Sequence, residues 1–250
     1  MSNDSSKEQK GWGPFAAIAG VFASFAVSQL LASLLISLAP HVLGLAIDSA
    51  WYDTPLSQFL YVLLAEIISL GILWIFIRRY RGLGIIRKQL GLGRFHIRDI
   101  VYAFVGVAAY FGLYFIVLSV ISAIITVDTS GQQDVGFSNA AGGALVFTFI
   151  SLVILPPIVE EITFRGFLYS GIKRRWGIVT AFLVTSIIFG GLHTLTGKDG
   201  LLWIAAIDTF SLSLVLCYLR EKTNNIYAGI GLHAIKNFIA FVALFVLHVS

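Results

Sequence analysis

Two adjacent carboxylates, Glu160 and Glu161, lie inside a strongly apolar run of this sequence. A charged group at the centre of a membrane helix costs roughly 2.5–3.5 kcal/mol on insertion scales, so an idle pair is hard to explain. Residues four apart share a helix face, which places Glu161 beside Arg165 in the favourable acid-before-base order. We therefore interpret Glu161 and Arg165 as a structural pair and expect Glu160 to face a polar cavity.

Polar side chains recur at helical spacing in the apolar segments that follow. His193 comes four residues after Phe189, and Asn237 comes four residues after His233. Two imidazoles and a carboxylate can activate a water, either by holding a divalent metal or by acting directly as base and proton carrier. An Asn one turn from a histidine can donate hydrogen bonds to the oxyanion of a tetrahedral intermediate. The pattern indicates hydrolytic chemistry at membrane depth.

The composition predicts the scaffold that must position these residues. Of 250 residues, 58% are apolar and 12% are charged, whereas about 25% are charged in an average soluble domain. A membrane-spanning helix needs about 20 apolar residues, and the apolar runs are too long and too regular for barrel strands. The predicted fold class is all-α, a polytopic transmembrane helical bundle of about seven to eight helices that encloses an intramembrane polar cavity. Pro156 and Pro157 together predict a break in the fourth apolar segment.

Lys and Arg cluster in alternate connectors, and this distribution predicts the orientation of the bundle in the membrane. Residues 1–13 are predicted to be a mobile cytoplasmic tail, and residues 14–250 a single transmembrane domain with its motif-bearing core at about 143–245. The basic stretch 78–98 is predicted to be cytoplasmic, whereas the polar loop 128–142 has no Lys or Arg and is predicted to face outward. We expect an integral, multi-pass protein with seven crossings, in the cytoplasmic membrane if the host is a prokaryote.

Several functional classes are disfavoured by the same features. The net charge of +4 is explained by membrane orientation, so no nucleic-acid partner is expected. Cys217 is the only cysteine, which excludes an intrachain disulfide and a cysteine metal cluster. No internal repeat is visible, which disfavours a proton-coupled transporter. Two further intramembrane acids, Glu66 and Asp208, could pair with Lys236 or line the cavity.

Taken together, the polar motifs resemble those of intramembrane proteases related to the CAAX prenyl endopeptidase Rce1, the CPBP or Abi family. They are EEITFR at 160–165, FGGLH at 189–193 and HAIKN at 233–237, in this order along the chain. The N-terminal half resembles the family only as generic membrane sequence. The resemblance implies catalytic roles for Glu160, His193, His233 and Asn237. It implies supporting roles for Glu161 and Arg165, and Phe189 is expected to form a wall of the cavity.

In the chemistry implied by the resemblance, Glu160 and His193 activate the attacking water and His233 contributes to the same centre. Asn237 stabilises the oxyanion. A zinc ion held by His193, His233 and Glu160 and a metal-free glutamate mechanism both remain open. Two His, one Glu and a water match a catalytic zinc site, yet the HExxH spacing is absent.

The predicted activity is endopeptidase cleavage of a membrane-embedded or lipid-anchored protein or peptide, of the CAAX type or the bacteriocin-processing type. Soluble peptides have no easy approach to residues at that depth, so lipids and membrane-bound substrates are the expected partners. The alternative is a non-enzymatic membrane immunity or scaffold protein that uses the same cavity to bind a partner. The substrate, the metal and the oligomeric state stay undetermined by the sequence.

Overall fold

The computed structural model describes residues 11–44, 46, 48–78, 83–128, 131–137 and 140–248. Their secondary structure is helical apart from connectors and one isolated antiparallel bridge between Gln133 and Gly197. The α-helices are α1 (Pro14–Val42), α2 (Pro55–Ile77), α3 (Leu83–Gln89), α4 (Ile97–Ser122), α5 (Leu145–Phe149), α6 (Leu155–Glu160), α7 (Tyr169–His193), α8 (Trp203–Thr223) and α9 (Tyr227–Phe241). Single 3₁₀ turns cover Ser49–Asp53, Gly142–Ala144 and Thr194–Thr196, and π-helical turns cover Ile150–Ile154, Glu161–Leu168 and Val242–Val246.

In the described part of the chain, six helical stretches are long and apolar enough to cross a membrane. One of them, Gly142–Thr196, spans 55 residues, and it changes direction at Gly177, where φ is 83° and ψ is 174°. This positive φ is a conformation that glycine adopts without a steric penalty. The stretch therefore consists of two limbs, which brings the apolar limbs to seven. The predicted all-helical membrane bundle is confirmed.

The proline pair interrupts the regular α-helix, as predicted, without ending the helical path. The prolines lie in the first turn of α6, where a missing amide N–H is tolerated, and the π-helical turn Ile150–Ile154 leads directly into that helix. A π turn is a common local adjustment inside an α-helix. The helical path from α5 to α7 is therefore continuous through the proline pair, which adds no further membrane segment.

The connectors gather at two ends of the bundle. At one end, which we call the basic end, the described parts of 78–96 meet 173–177 and 224–226; for example, the amide of Ile226 donates to the carbonyl of Gly91 at 3.2 Å. At the opposite end lie the described parts of 43–54, 123–141 and 194–202. There the amide of Asp134 donates to the carbonyl of Thr196 at 2.7 Å.

Helix α8 is the centre of the bundle. Its apolar window is 56% buried, while no other candidate span in the described residues exceeds 28%. Helices α4, α7 and α9 pack against it. The candidate spans other than α8 expose large apolar side chains such as Leu30, Phe104 and Ile116, each at least 60% exposed. In a bilayer these side chains contact lipid, so the arrangement fits a membrane bundle around one buried helix.

The predicted N-terminal tail falls mainly on residues 1–10, which lie outside the described residues. Trp12, however, is fully buried in the helical core. Its indole Nε1 donates to the carbonyl of Phe167 at 2.8 Å, and the two rings stack with centroids 5.2 Å apart. The helical core therefore extends to Trp12, which precedes the expected domain boundary at residue 14.

Candidate active site

Glu161 forms a buried ion pair with Arg165. Nη1 of Arg165 lies 2.9 Å from Oε1 of Glu161, and neither side chain is exposed. The guanidinium also lies over the ring of Phe189, with Cζ 4.5 Å from the ring centroid. Both charged residues belong to the π-helical turn Glu161–Leu168. Because breaking a buried pair of this kind is costly, the pair holds the turn that directly follows Glu160.

Glu160, the last residue of α6, faces a cavity and approaches His233. Its Oε2 lies 3.8 Å from Nε2 of His233, and Nδ1 of the same ring lies 3.4 Å from Oε1 of Glu161. Both distances exceed those of ordinary N–H···O hydrogen bonds. Catalytic hydrogen bonds are often long before substrate binds. Within the described residues, Oε2 of Glu160 is buried and has no hydrogen-bond partner, so it is free to accept a proton.

His193 is held in one orientation by the backbone one turn earlier. Its Nδ1 lies 2.8 Å from the carbonyl oxygen of Phe189. A carbonyl oxygen can only accept, so Nδ1 carries the proton and Nε2 of the neutral ring keeps a lone pair for a water or substrate. The Phe189 ring is fully buried, with its centroid 4.6 Å from that of His193 and 6.0 Å from that of His233. Phe189 therefore packs behind both imidazoles and supports the wall of the cavity that they line.

The side chain of Asn237 is oriented by the backbone carbonyl of Leu152. This carbonyl has no helical hydrogen-bond donor, because residue 156 is a proline. Its Nδ2 donates to the carbonyl oxygen of Leu152 at 2.9 Å. In an α-helix that oxygen would accept from the amide of residue 156, but Pro156 has no N–H to give. Pro156 thus leaves an acceptor that fixes the amide group of Asn237. The second N–H of that amide stays available for another acceptor.

The four residues with predicted catalytic roles line one cavity. Two cavities, of about 220 Å³ and 350 Å³, share Glu66, Glu160 and His193 among their lining residues. The larger one is also lined by His233 and Asn237. The structure therefore brings together side chains from α6, α7 and α9 that are up to 77 residues apart in the sequence, around a space large enough for water and a short peptide segment.

Glu66 and Asp208, the two intramembrane acids outside the three motifs, both lie at this cavity. Asp208 pairs with Lys236, with Oδ2 2.9 Å from Nζ, and it also accepts a hydrogen bond from the hydroxyl of Tyr110. Glu66 lines both cavities. The sequence predicted Lys236 as a partner for either acid. It did not predict the contact of Tyr110 with Asp208, because these residues are 98 positions apart in the sequence.

The fit of a zinc ion can be tested against the donor set. In the described ranges, no three side chains of His, Cys, Asp or Glu lie close enough together to hold a metal ion. The individual contacts of the proposed ligands do not oppose ligation, since His233 lies 3.8 Å from Glu160 and a metal-bound histidine commonly donates its other N–H to a carbonyl, as His193 does. A catalytic zinc site needs three protein ligands and an open position. The residues as arranged do not fit that group.

Comparison with known proteins places the site in a family. Residues 142–239 match the family model described as type II CAAX prenyl endopeptidase Rce1-like, and this stretch contains all three motifs. No curated protein and no solved structure matches the chain. The resemblance drawn from the motifs is therefore confirmed over residues 142–239, which carry Glu160, His193, His233 and Asn237. This stretch, less than half of the chain, is similar to the Rce1-like family.

Proposed function

We propose that this protein is an intramembrane endopeptidase in which Glu160 activates the attacking water. The similarity of residues 142–239 to the Rce1-like family supports endopeptidase activity of the CAAX type. The single observation that carries the chemical proposal is the free, buried Oε2 of Glu160 beside His233 in a polar cavity. The substrate is a membrane-embedded or lipid-anchored polypeptide, because the cavity lies within helices that cross the membrane.

The first step is removal of a proton from water. A water in the cavity donates one hydrogen bond to Glu160 and the other to Nε2 of His193. Glu160 takes its proton while the oxygen attacks the carbonyl carbon of the scissile bond. General-base catalysis of this kind contributes about 10²–10⁴-fold to the rate. His233, which lies 3.8 Å from Glu160 and 3.4 Å from Glu161, positions the catalytic carboxylate while Glu160 keeps the proton.

The second step is collapse of the tetrahedral intermediate. The free amide N–H of Asn237 donates to the oxyanion, and the first N–H keeps its bond to Leu152. A single oxyanion donor is worth about 10²–10³-fold in kcat. Glu160 then returns its proton to the leaving amine, which breaks the C–N bond and restores the carboxylate. Water is consumed, and one new carboxylate and one new amine are formed.

A zinc mechanism is not part of this proposal, because the donor set does not form three-ligand geometry in the described residues. The rival proposal is a membrane immunity or scaffold protein that binds a partner in the same cavity. Asn237 distinguishes the endopeptidase from the binding protein. One N–H of its amide is bonded to the carbonyl of Leu152, and the other is available to donate to a developing oxyanion. Partner binding alone has no use for that arrangement.

The test is cleavage of a lipid-anchored peptide library by the protein purified in detergent. Glu160→Gln should reduce cleavage by about 10²-fold or more, while its melting temperature stays close to that of wild type. Glu221→Gln is the matched control, since Glu221 pairs with the exposed Lys173 at the basic end. Wild-type activity in Glu160→Gln would refute the proposal. If the wild-type protein holds stoichiometric zinc and a His193→Ala/His233→Ala variant loses both the zinc and the activity, the mechanism is metal-centred. The proposal that Glu160 is the base would then be rejected.

A further inference from the structure

A further pocket, which we call the basic pocket, lies at the basic end of the bundle. It has a volume of about 600 Å³ and shares no lining residue with the two cavities around Glu160. Among the described residues that line it, none is acidic, whereas four carry a permanent positive charge: Arg87, Lys88, Arg94 and Arg98. All four residues are exposed. The basic pocket therefore presents four cations to a ligand.

One wall of the basic pocket is a fixed backbone turn after α3. Nε of Arg87 donates to the carbonyl of Leu92 at 2.6 Å, and the amide of Leu92 donates back to the carbonyl of Arg87 at 2.9 Å. Gly91 lies in this turn with a φ of 75°, a conformation that glycine adopts without a steric penalty. Nη2 of Arg220, a buried residue of α8, donates to the carbonyl of Gln89 at 3.1 Å and holds the turn against that helix. The turn thus positions the guanidinium of Arg87 through Nε and leaves its Nη groups for a ligand.

A second wall is formed by the start of α4 and the turn between α8 and α9. Asp99, in the first turn of α4, is buried and does not line the pocket. Its Oδ2 accepts from the amide of His96 at 2.8 Å and from Nδ2 of Asn225 at 3.1 Å. The hydroxyl of Tyr227 donates to the carbonyl of Gly93 at 3.1 Å, which ties the start of α9 to the same connector. The carboxylate of Asp99 is therefore used inside this wall.

The four cations of the basic pocket have no acidic partner in the part of the chain that the structure describes. The ion pair that lies at the same end joins Lys173 to Glu221, and neither of these residues lines the pocket. A concave surface lined by one sign of charge concentrates ions of the opposite sign. Guanidinium groups match the oxygens of a phosphate in charge and in geometry. The chemistry of the pocket therefore suits a ligand that carries a phosphate.

An apolar stripe on α4 leads from the basic pocket along the membrane-spanning helix. Val101 lies three residues after Arg98 and Val105 four residues after Val101, so the three side chains share one face of α4. Both valines are 61% exposed, and the apolar window of α4 is only 11% buried. In a bilayer this face contacts acyl chains. A ligand with a phosphate and hydrocarbon chains matches both the pocket and the stripe, whereas a soluble phosphate matches the pocket alone.

From the unpaired cations, the fixed turn and the adjoining apolar stripe, we infer that the basic pocket binds the headgroup of one anionic phospholipid whose acyl chains lie against α4. Basic pockets beside membrane helices attract the headgroups of anionic lipids. This inference goes beyond the proposed function and does not depend on it. The pocket is lined by residues of the connector before α4 and of the turn before α9. Bound lipid therefore joins α4 to the helix that carries His233 and Asn237.

The first experiment measures lipid binding to the wild-type protein by mass spectrometry of the intact protein–lipid complex, after lipid removal in a neutral detergent. Phosphatidylglycerol is the anionic probe, and phosphatidylcholine, which has a phosphate but no net charge, is its control. One phosphatidylglycerol should bind where phosphatidylcholine does not, and added salt should weaken the binding. Equal binding of the two lipids overturns the inference. Glycerol phosphate is the soluble probe, and its displacement of phosphatidylglycerol at equal concentration would assign the pocket to a soluble phosphate and reject the lipid.

The second experiment locates the bound lipid with matched variants. Arg94→Gln/Arg98→Gln removes two of the four cations, and each Lys or Arg near an anionic headgroup is worth about 5-fold in affinity, so phosphatidylglycerol should bind about 30-fold more weakly. Arg175→Gln/Lys222→Gln is the control, because it removes the same charge from exposed residues that do not line the pocket. Undiminished binding in the first variant, or an equal loss in both, overturns the inference.

Both double variants change exposed residues alone, so without lipid they should melt like wild type. If the first variant melts lower, the comparison of the two lipids on the wild-type protein still decides whether an anionic lipid is preferred. Peptide cleavage is not a readout of either experiment. Failure of the proposed endopeptidase activity therefore leaves this test intact, and loss of lipid binding leaves the proposed function standing.

Discussion

Replacing Arg165 by methionine tests whether the buried ion pair holds the catalytic helix. The substitution keeps a long side chain but leaves the carboxylate of Glu161 buried without its guanidinium, since both side chains are 0% exposed. Removing one partner of a buried pair costs about 3–5 kcal/mol, whereas replacing both by neutral groups is often nearly free of cost. For a chain of this size, each kcal/mol shifts the melting temperature by about 2–4 °C. We expect Arg165→Met to melt roughly 6–20 °C lower.

The single cysteine provides the assay. Cys217 is fully buried, so a thiol-reactive fluorophore reports unfolding in detergent as the temperature rises. The double variant Glu161→Gln/Arg165→Met should recover most of the lost stability, because no uncompensated charge remains. Arg175→Met, at an exposed arginine of the basic end, is the matched control and should melt like wild type. A single variant that melts within about 2 °C of wild type, or a double variant no better than the single, would refute the reasoning.

Two further predictions concern the geometry around the cavity. Pro156→Ala restores an amide N–H that competes with Asn237 for the carbonyl oxygen of Leu152. The amide of Asn237 is then less well oriented, so kcat should fall by up to about 10²-fold with little change in stability. An unchanged kcat would contradict the role of Pro156 in orienting Asn237. Gly229→Ala places a Cβ 2.8 Å from Oε2 of Glu161 and should cost about 1–3 kcal/mol in the thiol-unfolding assay. Gly112→Ala, whose Cβ meets no atom within 4 Å, is its control and should not be destabilised.

The fold class was predictable because the membrane imposes it. With no water in the hydrocarbon region, long apolar runs must satisfy their backbone groups as helices, and these runs are visible in the composition and spacing alone. The predicted break at the proline pair is limited to a local change of helix type. Prolines at the start of α6 cost little there, and the π turn Ile150–Ile154 adjusts the backbone before them. The turn at Gly177, whose positive φ separates two limbs, was indicated by the basic run Lys173 to Arg175 that directly precedes it.

The ion pair between Glu161 and Arg165 could also be predicted from their spacing in the sequence. Glu161 and Arg165 lie four residues apart, and the structure places them in contact at 2.9 Å. Contacts between different helices could not be predicted from sequence spacing. The link from Asn237 to Leu152 and the contact of His233 with both glutamates depend on how α9 packs against the helix that contains α6.

The sequence by itself determined the helical membrane bundle, the similarity of residues 142–239 to a known family and the basic character of one end. Each of these depends on residue type and on spacing along one segment. Only the tertiary structure decided that Phe189 lies behind the histidines, that Lys236 pairs with Asp208, and that Trp12 stacks on Phe167 in the core. These features follow from side-chain packing between helices distant in sequence, which no periodicity within a single helix encodes.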